Sequence, residues 1–237
     1  MIIGQDFEKM RFSAFGLDLL EPNAITGDLL IFFLSLFFAF KVYPLITIKK
    51  FYKYWFYFFL VFGFGFLFGG LGHLFFNYWG IPGKYAGWYF SVFSVFFAEQ
   101  AMLDAWQNQK LKTLFQKISV VKLFIVLIAM FLFYNFINFN ADEQRGLLIP
   151  AVNSFVGLFS TVGILSWQFQ TKVHDSFKFF WIGVLITIPS GIFQMFKINI
   201  HPWLDRNDVA HILLIISTFF YFRAIRQIKF VPKKVLF

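Results

Sequence analysis

The sequence of 237 residues contains no cysteine, and only 14% of its residues are charged. The absence of cysteine excludes disulfide bonds and thiolate metal sites, so histidine, aspartate and glutamate are the side chains left to hold a metal. Soluble domains carry about 25% charged residues. Here hydrophobic residues make up 59% of the chain. This balance excludes an ordinary soluble protein and predicts an integral membrane protein that contacts membrane lipids.

The first 23 residues lack the uninterrupted apolar run of a cleavable signal peptide, so we expect residues 1–23 to form a polar extracytoplasmic segment. Beyond them, apolar runs of about 20 residues recur, the length that crosses a bilayer as a helix. They predict an all-α transmembrane bundle of seven helices over residues 24–225 and a basic cytoplasmic tail at 226–237. The expected spans are 24–43, 54–76, 85–106, 119–137, 147–168, 179–196 and 207–225.

Lysine and arginine are unevenly shared between the two sides of the predicted bundle. Six fall in the N-terminal segment and the connections on its side, and fifteen fall on the other side. Because cytoplasmic loops carry the excess of positive charge, the N-terminus is predicted outside and the C-terminus in the cytoplasm. The net charge of +9 is then explained by anionic lipid and predicts no nucleic-acid partner. The 41 phenylalanines, beside many Lys and Ile, are typical of AT-rich bacterial genomes and favour a bacterial cytoplasmic membrane.

Tryptophans support the same arrangement, because this residue concentrates at membrane interfaces. Three fall at the outer ends of predicted spans and four at the inner ends. The outer set is Trp79, Trp88 and Trp203, and the inner set is Trp55, Trp106, Trp167 and Trp181.

Ionisable residues of three predicted spans lie about one turn inside the outer membrane boundary, namely Asp28, His73 and His211. Asp208 lies three residues before His211 and therefore shares its helical face. Charges at membrane depth are costly and normally pair inside the bundle, so we expect these side chains to meet. Two imidazoles and a carboxylate suit a divalent metal, with zinc the first choice.

In this interpretation His73, His211 and Asp208 are metal ligands, and Asp28 or Asp208 is a third ligand or a general base. His201 and Asn207 are expected close above the cluster as additional candidates. A metal-free interpretation stays open. Asn207 or Asp208 could cap the last helix, and Asp28 could join helices by a hydrogen bond to His73. His201, in a loop before Pro202, also fits a solvated residue.

The histidine at the end of the motif FGGLGH and the D-x-x-H of the last span, Asp208 and His211, resemble the superfamily of seven-helix membrane hydrolases that includes alkaline ceramidases and the adiponectin and progestin receptors. The chain also resembles, over nearly its whole length, an uncharacterised bacterial seven-helix family. The motifs shared with that family are Glu21-Pro22 before Asp28, Gly69-Gly70 before His73, and His201-Pro202 before Asn207-Asp208 and His211.

The hydrolase resemblance implies a zinc held by one second-span and two last-span histidines, which activates water against an amide. The sequence departs from that pattern twice. Asn207 stands where the first last-span histidine is expected, and Gly69 stands where a serine is expected. The resulting hypothesis is a metal-dependent hydrolase of a lipid-like amide or ester, with an outward-facing site.

Two other classes of function fit the sequence. One is a non-catalytic subunit or scaffold of an envelope complex, with protein partners in the membrane. This is favoured by short connections that leave no room for a soluble domain. The other is a proton-linked transporter or sensor that uses the Asp and His cluster as a titrating relay. At the inner end of the third span, Glu99 and Asp104 are expected to face the basic loops.

Overall fold

A computed structural model of the protein describes residues 1–137 and 143–230. The chain begins with two short strands, β1 (Arg11–Ala14) and β2 (Leu17–Leu20), and continues as helices. The helices are α1 (Pro22–Val42), α2 (Lys50–Leu74), the single turn α3 (Phe76–Trp79), α4 (Pro82–Asp104), α5 (Gln109–Phe136), α6 (Leu148–Gly157), α7 (Ser166–Lys172), α8 (Lys178–Met195) and α9 (Arg206–Gln227). A π-helix, Leu158–Leu165, joins α6 to α7, and 3₁₀ turns cover Tyr43–Leu45, Glu143–Leu147 and Asp175–Phe177.

The prediction of several membrane-spanning helices is supported by the length and composition of the helices. Six helical segments of the described chain are long and apolar enough to span a bilayer: Pro22–Leu45, Lys50–Leu74, Gln109–Phe136, Arg145–Lys172, Asp175–Met195 and Arg206–Gln227. The predicted span 85–106 corresponds to α4, which has 23 residues but is not among these six. Buried polar residues, such as Ser94, Glu99 and Gln100, lower its hydropathy. A helix enclosed by its neighbours can carry such residues because it faces little lipid.

The N-terminal segment contains strands, which the all-α prediction did not include. Strands β1 and β2 pair antiparallel, with Arg11 opposite Leu20 and Ala14 opposite Leu17. Phe15 and Gly16 form the turn, and both have positive φ, 53° and 76°. This is the backbone of a tight hairpin turn, in which both central residues are left-handed. The basic tail was predicted at residues 226–237. Residues 231–237 of that tail lie outside the described residues.

The core of the bundle is aromatic. Trp55 stacks on Phe180 with 4.8 Å between ring centroids, and Phe38 stacks on Phe222 at 4.2 Å. Trp55 is 0% exposed, so its side chain does not face lipid. The indole packs between α2 and α8 instead. Offset stacking of such rings adds about 0.5–1.5 kcal/mol to the gain from burial.

Two buried acids tie α4 to its neighbours at the end of the bundle opposite the hairpin. Glu99 forms an ion pair with Lys122 and accepts a hydrogen bond from Ser119 Oγ at 2.5 Å. Asp104 pairs with Lys112 and accepts from the Phe51 backbone N–H at 3.0 Å. Both acids therefore meet lysines of α5, because α5 begins at Gln109, ten residues before the predicted span.

Glycines allow α2 and α4 to approach closely, which predicts a contrast between two positions on α2. A Cβ at Gly72 would lie 2.6 Å from the backbone oxygen of Gly83, whereas a Cβ at Gly69 meets nothing within 4 Å. We expect Gly72→Ala to destabilise the protein by roughly 1–3 kcal/mol, as overpacking does. Gly69→Ala is the matched control and should keep or slightly raise the thermal midpoint, because alanine favours the helix more than glycine does. Thermal unfolding in detergent measures both, and equal midpoints would contradict this packing.

Candidate functional site

The N-terminal segment covers one end of the bundle by bonding to the loop between α8 and α9. Ile2 and Asn199 exchange two backbone hydrogen bonds at 2.9 Å each. The Asn199 side chain also donates to the Gln5 carbonyl at 2.7 Å. The hairpin is held at the same end, because the Asp18 N–H donates to the Tyr78 hydroxyl at 2.9 Å.

Beneath this cover lies a cavity of about 350 Å³. Its volume falls within the range of small-molecule sites, which is about 300–1,000 Å³. The N-terminal segment, α1, α2, α4 and the loop between α8 and α9 all contribute to its wall. The ionisable groups of that wall are Asp6, Glu8, Lys9, Glu21, His73, Lys84, Lys197, Asp205 and Arg206. The cavity is therefore a polar chamber at the end of an otherwise apolar bundle.

A carboxylate and an imidazole form a short polar contact in the cavity wall. His73 Nδ1 lies 2.6 Å from Glu21 Oε2. Glu21 is buried and has a left-handed backbone, with φ 52° and ψ 59°. A non-glycine residue pays for this conformation, and such strain is common at functional sites. The conformation is fixed because the Glu21 N–H donates to the Met10 carbonyl at 2.9 Å and Pro22 starts α1 directly afterwards.

The environment of Glu21 keeps it ionised. Burial raises its pKa, but the hydrogen bond and the charge of His73, with the charges of Lys9 and Lys84, outweigh that effect and lower the pKa to about 2. The carboxylate can then only accept, so Nδ1 of His73 donates to it and Nε2 is the ring nitrogen left on the cavity side. No described residue bonds to Nε2, and His73 lines the cavity. The ring therefore presents Nε2, which has no bonding partner among the described residues, to whatever occupies the chamber.

The other membrane histidine is enclosed. His211 Nε2 lies 3.2 Å from Asp28 Oδ1, and both side chains are buried. A Cβ on Gly27 would lie 2.4 Å from His211 Nδ1, and one on Gly70 would lie 2.8 Å from Asp28 Cβ. The two glycines therefore let α1, α2 and α9 close around this pair. Neither Asp28 nor His211 lines the cavity.

Asp208 takes part in capping the N-terminus of α9. Asp205 is the N-cap: its Oδ1 accepts from the N–H groups of Asn207 at 2.7 Å and Asp208 at 3.1 Å. Asp208 Oδ2 accepts in return from the Asp205 N–H at 2.9 Å, completing a capping box. The same Oδ2 accepts from Asn23 Nδ2 at 2.7 Å, which joins α1 to α9.

The two additional candidates, Asn207 and His201, bond to other partners than the two histidine pairs. Asn207 lines the cavity, where its Oδ1 accepts from Gln194 Nε2 at 2.9 Å. His201 is exposed, and its Nδ1 accepts from the Trp203 N–H at 3.2 Å. His201 therefore stabilises a local turn outside the cavity wall.

The predicted cluster is thus divided. His73 pairs with Glu21, whereas His211 pairs with Asp28, and the expected bond between Asp28 and His73 is not among the hydrogen bonds of the described residues. Within residues 1–137 and 143–230, no three His, Asp or Glu side chains are grouped to hold a metal ion. Sequence reasoning missed Glu21 as a site residue. Its signal was an acid directly before the proline that opens the first span.

One protein family matches the chain, described as a family of unknown function (DUF6962), over residues 24–229. The chain belongs to this family. Its matched region includes α1 to α9 almost completely, with Asp28, His73, Asp208 and His211, and it begins after Glu21. No curated protein and no solved structure matches the chain. The match agrees with the expected resemblance to an uncharacterised family and provides no link to the ceramidase and adiponectin-receptor superfamily.

The depressed pKa of Glu21 predicts a pH-dependent contribution to stability. A carboxyl whose pKa falls from 4.5 to about 2 on folding stabilises the folded state by about 3 kcal/mol above pH 4.5 and loses this as the pH falls towards 2. We expect Glu21→Gln to lower the thermal midpoint at pH 7 and to approach wild type at pH 3.

Thermal unfolding in detergent at pH 7, 5, 4 and 3 measures this difference. Glu8→Gln is the matched control, because Glu8 is an exposed acid of the same wall. A midpoint difference between Glu21→Gln and wild type that stays constant from pH 7 to pH 3 would show that the Glu21 charge does not stabilise the fold.

Proposed function

We propose that this multi-pass membrane protein is a hydrolase of a lipid or lipid-like ester or amide, with His73 as the general base. One observation carries the proposal. The Glu21 and His73 pair presents an unbonded imidazole nitrogen to a polar cavity at the end of a membrane bundle. A carboxylate on one ring nitrogen and a reacting group at the other is the arrangement that makes histidine an efficient base.

We further propose that α4 is a seventh span, that the N-terminus is outside and that the membrane is the bacterial cytoplasmic membrane. The excess of Lys and Arg at the opposite end of the bundle supports this orientation. The cavity then lies at the level of the outer headgroups. An amphiphile could enter it with its polar part while its chains stay among the lipid-facing helices.

The proposed reaction uses water as the nucleophile. His73 Nε2 removes a proton from water as the water oxygen bonds to the carbonyl carbon of the substrate. The tetrahedral intermediate then collapses, the bond to the leaving oxygen or nitrogen breaks, and His73 returns the proton to the leaving group. Glu21 stabilises the imidazolium that forms in between. Lys9 and Lys84 provide the positive charge that stabilises the developing oxyanion.

The zinc site implied by the hydrolase resemblance does not fit the arrangement of these residues. It requires His73 and two last-span histidines, whereas His211 is held by Asp28 and Asp208 is held by Asn23 and the Asp205 N–H. Elemental analysis of wild type beside His73→Ala/His211→Ala measures the metal directly. If wild type binds about one equivalent of zinc and the double variant binds none, a metal-assisted mechanism would replace the general-base mechanism.

A second candidate is a non-catalytic subunit of an envelope complex. The exposure of α5 favours it. This helix is the least buried of the six candidate spans, with 22% of its most apolar stretch buried inside the bundle. Its outer face exposes large side chains, among them Phe124, Ile128 and Phe131. Stoichiometric partners after native purification would favour this candidate, and an isolated particle would weaken it.

The hydrolase proposal predicts that His73→Gln lowers kcat/KM by about 10²–10⁴-fold, the usual contribution of a general base. His201→Gln is the control, because His201 lies outside the cavity wall, and it should retain wild-type turnover. The assay incubates purified protein with a panel of lipid esters and amides and detects the released products by mass spectrometry. Equal turnover by wild type and His73→Gln would overturn the proposal.

A further inference from the structure

Arg206 is a buried cation of the cavity wall with a nitrogen that lacks a partner. The residue is 7% exposed, at the first position of α9. Its Nη2 donates to Asp6 Oδ2 at 2.9 Å. Its Nη1 is buried and has no hydrogen-bond partner among the residues that the structure describes. A buried donor left unpaired is destabilising, more so when it is charged, and Arg206 lines the cavity, so an acceptor bound there would stabilise this residue.

The acids of the wall do not supply that acceptor. Asp6 already accepts from Arg206 Nη2, and Glu21 accepts from His73. Asp205 is occupied by the N–H groups at the start of α9. The remaining acid, Glu8, is exposed. Three of the four acids are therefore engaged by side chains or backbone of the wall.

The cations of the wall differ in their pairing, since Arg206 pairs with Asp6 and Lys9 with Glu21. Lys197 lines the cavity and forms no ion pair within the described part of the chain. Its backbone is held in place, because its carbonyl accepts from the Gly4 N–H at 3.2 Å. Lys9 and Lys84 add positive charge on the Glu21 side. Arg206 and Lys197 therefore both line a chamber to which Lys9 and Lys84 add further positive charge.

We infer that the cavity binds a phosphate group, with Arg206 and Lys197 as its ligands. A phosphate has several acceptor oxygens and can meet cations from more than one direction, whereas one carboxylate is satisfied by a single arginine fork. Basic pockets at headgroup depth bind phospholipid headgroups by this chemistry. The inference names the headgroup of the amphiphile proposed above, and it relies on that proposal for the identity of the cavity as the substrate site.

The test measures binding of three probes to full-length protein in a neutral detergent by native mass spectrometry. The probes are dihexanoyl phosphatidic acid, dihexanoyl glycerol and inorganic phosphate. We expect phosphatidic acid to bind and the uncharged diacylglycerol of equal chain length to bind at least tenfold more weakly, because a charge-assisted bond is worth about 1.5–3 kcal/mol. Competition by inorganic phosphate at equal concentration would assign the site to free phosphate, and its failure to compete would assign it to the lipid headgroup.

Substitutions in the cavity wall identify the residues that bind the phosphate group. Arg206→Gln and Lys197→Gln should each weaken phosphatidic acid binding by about tenfold or more. Lys197→Gln keeps the test decisive if Arg206→Gln does not fold. Asp6→Asn removes the charge that Arg206 now faces and should bind at least as tightly as wild type. Arg223→Gln is the matched control, because Arg223 packs on Phe179 and lies outside the wall. Equal binding of the two lipids, or wild-type binding by both Lys197→Gln and Arg206→Gln, would overturn the inference.

Turnover separates this inference from the proposed hydrolase. His73→Gln should still bind phosphatidic acid but lose hydrolysis. Hydrolysis of uncharged esters with no preference for phosphate would reject the phosphate site and leave the hydrolase intact. Phosphate binding that depends on Arg206 and Lys197, without turnover of any ester or amide, would reject the hydrolase and leave the binding site.

Discussion

The hydrogen bond between Glu21 and His73 is the contact on which the hairpin end of the bundle depends. It joins the residue that links the hairpin to α1 with the last turn of α2, at 2.6 Å. Glu21 can reach His73 because its left-handed backbone reverses the chain between β2 and α1. The bond sets the proton on Nδ1 and leaves Nε2 to the cavity. This hydrogen bond thus holds the start of α1 against the end of α2 and orients the His73 ring in the cavity wall.

The protein contains a second acid–histidine pair whose surroundings give it a different role. Asp28 and His211 are enclosed where glycines bring α1, α2 and α9 together. A buried pair of this kind holds helices together, since neither partner can be removed without leaving the other unpaired. Glu21 and His73 make the same chemical contact at the wall of a cavity. The two pairs have the same chemistry and differ in their access to the cavity, which only Glu21 and His73 line.

Much of the fold could be predicted from the sequence. Apolar runs locate membrane helices because backbone polar groups must be bonded within the segment, and the depth of Asp28 and His211 correctly indicated interior side chains. Which acid meets which histidine could not be predicted, because it depends on helix rotation and on close approach at Gly27 and Gly70. Glu21 was missed because its position follows from a left-handed residue and from a hairpin that span patterns do not reveal.

Labelling with diethyl pyrocarbonate, followed by mass spectrometry, tests most directly whether the imidazole of His73 is accessible and that of His211 is not. The reagent modifies neutral, accessible imidazole nitrogens, and the chain has only four histidines. In folded protein we expect His73 to be modified, while His211 stays unmodified until the protein is denatured. Protection of His73, or modification of His211 at the same rate in folded protein, would contradict the proposed site.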